Sequence, residues 1–346
     1  MTGQPGFAAE ERALQRAQHI DARHLPSMLG WFPVAISAEQ ASVCWRHLGE
    51  IRFIESFFLD TLNQQSREQR QLCLTPLVSL SEQLAGMPCV APTAFIFHVS
   101  RCGSTLLTQM LASLPQCMVM SEPPVMDAFF RYYHAHPDMP DAIATFRHLI
   151  SALGQQRHQE ESHFFIKFDS WHLAWLPFVR EAYPDIPIIF LYREPQAVLA
   201  SHQRQRGPQM IPGLLNTTRL QATNLPASAA DFNAYTASIL ACMLEAGFEH
   251  TISARLILLN YSQLPDVLWN ELLALFQLDC NAQELLTLKA RSALHSKHRH
   301  LGFSGDPELK SREMGGAELP SLQYCDQIYA QLESLRLKVK ICKVAQ

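Results

Sequence analysis

Residues 94–114, AFIFHVSRCGSTLLTQMLASL, limit what this chain can fold into more than any other stretch. The run 95–99 is almost uninterrupted apolar, as a parallel strand covered on both faces requires. Leu106, Leu107, Met110, Leu111 and Leu114 then recur at helical spacing. Between strand and helix lies the tight turn Ser100-Arg101-Cys102-Gly103-Ser104-Thr105. Such a turn aims the first backbone N–H groups of the helix, two hydroxyls and one guanidinium into a single crevice, which makes an anion site.

The loop differs from that of nucleotide-triphosphate enzymes, where G-x-x-x-x-G-K-[ST] puts a lysine directly after the second glycine to reach the β- and γ-phosphates. Here Ser104 follows Gly103, and the cation, Arg101, precedes the glycine by two residues. No apolar strand ending in aspartate offers a magnesium ligand, which disfavours a metal-assisted ATPase or GTPase. The plain alternative is a helix N-cap with an incidental arginine.

The chain has 346 residues, enough for one large core or a core with a small accessory unit. With 48% hydrophobic and 17% charged residues it has the composition of an ordinary soluble globular protein. A net charge of −4 argues against a nucleic-acid partner bound through a broad basic face. Its nine cysteines are scattered, odd in number and without a C-x-x-C pair, which favours reduced thiols over disulfides or structural zinc. The first twenty residues lack the apolar core of a secretory signal, and no run reaches the roughly 18 apolar residues of a membrane span. A soluble, cytoplasmic protein is expected.

Residues 1–86 read as a small, mainly helical N-terminal unit: Ile51, Phe53, Ile54, Phe57, Phe58 and Leu62 can form one helical stripe. The turn residues Gly86-Met87-Pro88 mark its boundary with 87–346. From there strands at 95–99, 117–121, 164–168, 187–192 and 256–260 alternate with helices at 103–114, 125–153, 172–183, 195–206 and 232–249, in the manner of βαβ units. This predicts an α/β fold, an open and mainly parallel sheet with helices on both faces. Ligands in such folds sit beyond the C-terminal strand ends.

The fourth of these strands runs into Arg193-Glu194-Pro195, and Ser201 follows on the helix, a hydroxyl that with an arginine fork suits a phosphate monoester. With two such anion sites the chain resembles the sulfotransferases that use 3′-phosphoadenosine 5′-phosphosulfate (PAPS). Arg101-Cys102-Gly103-Ser104-Thr105 matches that family's [KR]-x-G-[ST]-[ST], which holds the 5′-phosphosulfate. Arg193-Glu194-Pro195 with Ser201 matches its R-[DN]-P and later serine, which hold the 3′-phosphate, with Glu194 in place of the usual Asp or Asn. The resemblance spans about residues 93–306 and implies a P-loop-type sulfotransferase domain in 87–346.

The same resemblance implies the remaining roles. Glu122, after the strand 117–121, matches the catalytic base of one branch of the family; its plain role is a solvated helix-capping acid. Lys167-Phe168-Asp169 stands where other members place a lysine, one residue and a base histidine. Lys167 keeps its role at the sulfonyl group, and Asp169 is the rival base. Residues 260–264 resemble a family segment with its acids lost and are assigned to packing. Lys297 and Arg299 lie in a late basic loop that covers the cofactor; the alternative, a metal cluster of His295, His298 and His300, is disfavoured by their cationic neighbours. The implied activity is sulfonyl transfer from PAPS, without a metal, to a small-molecule, carbohydrate or peptide acceptor. An ATP-dependent small-molecule kinase and a non-enzymatic nucleotide-binding module are the alternatives.

Overall fold

The computed structural model describes residues 17–215, 231–294 and 319–338. Its strands are β1 (Gln18–His19), β2 (Trp31–Ser37), β3 (Ser42–His47), β4 (Gln71–Pro76), β5 (Pro92–His98), β6 (Cys117–Ser121), β7 (His163–Lys167), β8 (Ile188–Tyr192) and β9 (Leu256–Asn260). The first four make one sheet, in the order β1-β4-β3-β2, and the last five belong to a second. The chain divides into two compact units. One comprises Met1–Ala94, Leu111–Phe168 and Phe178–Ile186; the other comprises Phe95–Met110, Asp169–Pro177 and Pro187–Gln346.

In the first unit the N-terminal part is built on a sheet, which corrects the expectation of a mainly helical segment. β2 and β3 pair antiparallel from Trp31↔His47 to Ser37↔Ser42, and β3 pairs antiparallel with β4. Only short α-helices, Phe58–Asn63 and Leu80–Gln83, occur among the described residues before β5. The alternation that would have announced β2 is hidden because Trp31, Phe32, Pro33 and Val34 are all buried. The helices Pro124–Ala135 and Ala142–Leu153 pack on β2, and the unbroken burial of residues 31–34 means that both faces are covered over that stretch. Pro33 is tolerated because β2 is an edge strand whose register shifts between Pro33 and Ala35.

The expected boundary at residue 86 does not coincide with this division. The Gly30 N–H donates to Gln155 Oε1 at 2.7 Å, and Gln155 Nε2 donates to the Trp31 carbonyl at 2.5 Å. The Arg157 guanidinium lies over the Phe32 and Phe53 rings at 4.9 and 4.8 Å and donates to the Gly49 and Ile51 carbonyls at 2.9 and 2.8 Å. The same unit holds the parallel pair β6 and β7, in register from Cys117↔His163 to Ser121↔Lys167. The single helix expected over 125–153 is two, separated by a turn with Pro137 and Pro140, residues that lack the N–H a continuing helix needs.

In the second unit β5, β8 and β9 run parallel, with Phe95 opposite Ile188 and Tyr192 opposite Asn260. Every residue of β6, β8 and β9 is buried, so side chains pointing to either face are covered. This is the expected α/β class with a parallel sheet between helices. The helices of the second unit include Ser104–Leu111, Pro195–Arg204, Phe232–Ser253, Ala282–Ser292 and Pro320–Lys338. No helix among the described residues is long and apolar enough to cross a membrane.

Candidate functional site

The turn after β5 is a left-handed concavity. Ser100, Arg101 and Gly103 have φ of +67°, +50° and +88°, conformations that bend successive backbone N–H groups toward one point. Ser100 is held by its N–H donating to Nδ1 of the buried His98 at 3.0 Å, and Cys102 by its thiol donating to the Leu191 carbonyl at 3.2 Å. The helix starts with the Leu107 N–H donating to Gly103 O at 3.1 Å, so its N-terminal turn opens onto the concavity. Ser104 and Thr105 are buried in that first turn.

Gly103 is required twice over. A Cβ there would adopt a left-handed backbone and would lie 2.8 Å from both Tyr261 and Leu264. Tyr261, the residue after β9, therefore closes against the glycine turn. The Arg193 guanidinium, from the turn after β8, stacks on the same tyrosine ring at 4.0 Å, and its Nη1 lies 3.5 Å from the Arg101 carbonyl oxygen, to which it donates. The turns after three neighbouring strands thus converge, and two of the expected anion ligands converge with them. Arg101 Nη2 donates to the Gln205 carbonyl at 2.5 Å. Burial and the nearby Arg204 cation lower the Arg101 pKa from its ordinary value, and an anion beside the guanidinium would offset both effects. Ser201 is half-buried on the helix Pro195–Arg204. Two guanidinia, of Arg101 and Arg193, and three hydroxyls, of Ser104, Thr105 and Ser201, make a donor set that fits phosphate groups.

In the first unit Glu122 and Lys167, from the ends of the paired strands β6 and β7, form an ion pair. Lys167 Nζ lies 3.0 Å from Glu122 Oε1 and 4.6 Å from the centre of the Phe57 ring. The lysine is fully buried and the glutamate 22% exposed, so the carboxylate is the end of the pair that solvent or a substrate can reach. Glu122 has φ +56°, a left-handed conformation uncommon for a residue with a side chain, and its N–H donates to the Lys167 carbonyl at 2.7 Å. Asp169, buried in the second unit, starts the short helical turn Ser170–Trp175, with Oδ2 3.8 Å from His172 Nδ1.

Lys297 and Arg299 lie outside the described residues, as do the three histidines of the metal reading. Among the described residues no group of three or more His, Cys, Asp or Glu side chains could hold a metal ion. Sequence reasoning assigned Tyr261 to packing and did not single out His98. Tyr261 carried a usable signal in standing directly after an apolar strand, the same position that singled out Arg193.

Residues 92–238 match the model of the sulfotransferase family. No curated protein matches the chain. Among solved structures the chain is similar to the sulfotransferase domain from the Synechococcus PCC 7002 olefin synthase, at 18% identity and a TM-score of 0.40, over 71% of this chain and 96% of that one. It is also similar to a sulfotransferase from Mycobacterium avium, at 12% identity and a TM-score of 0.46, over 75% and 81%. A third similarity is to a mouse sulfotransferase complexed with PAP, at 11% identity and a TM-score of 0.37, over 75% and 89%.

Proposed function

Residues 92–238 belong to the sulfotransferase family, and from that premise we propose that this chain transfers a sulfonyl group from PAPS to a hydroxyl or amine of a small-molecule, carbohydrate or peptide acceptor. PAPS supplies an activated sulfonyl group joined to a 5′-phosphate; the protein's part is positioning and electrostatics. Backbone N–H groups of residues 102–105, the Ser104 and Thr105 hydroxyls and Arg101 bind the 5′ end. Arg193 and Ser201 bind the 3′-phosphate, and Lys297 and Arg299 are assigned to the same cofactor. Lys167 is assigned to the sulfonyl group, on which it acts as a fixed positive charge from behind the Glu122 carboxylate rather than by contact. As the acceptor oxygen bonds to sulfur and the sulfur–oxygen bond to the phosphate breaks, the acceptor proton passes to Glu122, with Asp169 as the rival base. Cytoplasmic residence belongs to the same proposal.

The observation that carries this reading is the stack of Arg193 on Tyr261 and of Tyr261 on Gly103, which joins the two anion-binding turns. One bisphosphorylated nucleotide then has both its charges served from adjacent strand ends. A ligand that binds only the folded state at a hundred times its Kd stabilises by about 2.7 kcal/mol. Adenosine 3′,5′-bisphosphate should therefore raise the melting temperature, and ATP with Mg²⁺ should not. The reverse result would favour a kinase. Labelled PAPS with a panel of hydroxyl and amine acceptors then tests turnover, and binding without transfer to any acceptor would favour a non-enzymatic module.

A further inference from the structure

The C-terminal helix Pro320–Lys338 reaches the last rung of the β8–β9 ladder. Tyr192 and Asn260 are partners across that rung and are the final residues of their strands. Glu333 Oε1 accepts from the Tyr192 hydroxyl at 2.6 Å and from Asn260 Nδ2 at 3.0 Å. Asn260 Nδ2 also donates to the Tyr329 hydroxyl at 2.9 Å, and Asn260 Oδ1 accepts from the Ser262 N–H at 2.9 Å. Arg336 completes the cluster, donating to Glu333 from Nε at 2.8 Å and from Nη2 at 2.7 Å. The next residue on each strand is one half of the cation–π stack: Arg193 follows Tyr192, and Tyr261 follows Asn260.

We propose that Glu333 is a positioning residue for the nucleotide's 3′-phosphate, fixing through Tyr192 and Asn260 the strand ends from which Arg193 and Tyr261 project. One carboxylate oxygen bridges both strands, so it sets their relative advance at the point where the two turns begin. A guanidinium fork binds phosphate well only when its geometry is held, and small displacements of a positioned group are costly. Glu333 itself touches no ligand. Burial raises its pKa, but the bonds from Arg336, Tyr192 and Asn260 outweigh this and hold it down at about 2, so the bridge is anionic throughout the neutral range.

The inference rests on the proposed function, and calorimetry on the full chain separates the two. Adenosine 3′,5′-bisphosphate and AMP differ only in the 3′-phosphate. The unmodified protein should prefer the bisphosphate, and Glu333→Gln and Tyr192→Phe should each lower bisphosphate affinity about tenfold while leaving AMP affinity unchanged. Tyr192→Phe keeps the buried ring and removes only the hydroxyl, so it reports even where Glu333→Gln folds poorly. Equal losses for both nucleotides, or no loss for either, overturn the positioning role and leave the functional reading standing. An unmodified chain that does not distinguish the two nucleotides overturns both.

Discussion

Two residues, one in each compact unit, show how much hangs on single backbone positions. Gly103 combines φ of +88° with neighbours that leave no room for a methyl group. Gly103→Ala should cost about 3 kcal/mol from the left-handed backbone and the forced repacking together, read as a lower urea midpoint, and should abolish the thermal shift from the bisphosphate. Glu122 is also left-handed, and a residue retained there against its own backbone preference is the kind that functional sites hold. Glu122→Gln should lower turnover on the order of a hundredfold while sparing bisphosphate binding. Near-normal turnover would remove it from the mechanism. The glycine turn, Arg101 and Arg193 were legible because a short motif after an apolar run states its own geometry. The contact of Tyr261 with Gly103 was not, since it joins residues more than 150 positions apart and no local pattern records it.

At the level of elements, strands of the parallel sheet were readable as short apolar runs: β6 and β9 have the expected bounds, and the others differ by one to three residues at an end. The N-terminal strands were harder to read. β2 is buried on successive residues from Trp31 to Val34, so it shows no alternation, and Pro33 interrupts its aromatic and β-branched run with a residue depleted in strands. Its cover is fastened by the Arg157 guanidinium, whose partner Glu161 is almost fully buried. Arg157→Met should destabilise the protein by about 3 kcal/mol, because the glutamate is left buried without its cation. The C-terminal helix gives a pH signature. Glu333 has a folded pKa of about 2 against an ordinary 4.5, so its stabilisation is complete above about pH 4.5 and is lost as pH falls toward 2. Glu333→Gln should flatten that part of the acid-unfolding curve.

For the whole molecule, the apolar strand runs and the helical patterns between them were enough to set its α/β architecture. They could not reveal how the chain is apportioned. Each compact unit is assembled from three separated segments, and the segments of the two alternate along the sequence. No single scission can therefore separate one from the other. Expressed alone, residues 1–86 would lack Gln155 and Arg157 and should give the circular dichroism and proteolytic sensitivity of an unfolded chain. During synthesis the earliest sheet must wait for residues a hundred positions downstream, so its own hydrophobic surface stays exposed until nearly half the polypeptide has emerged.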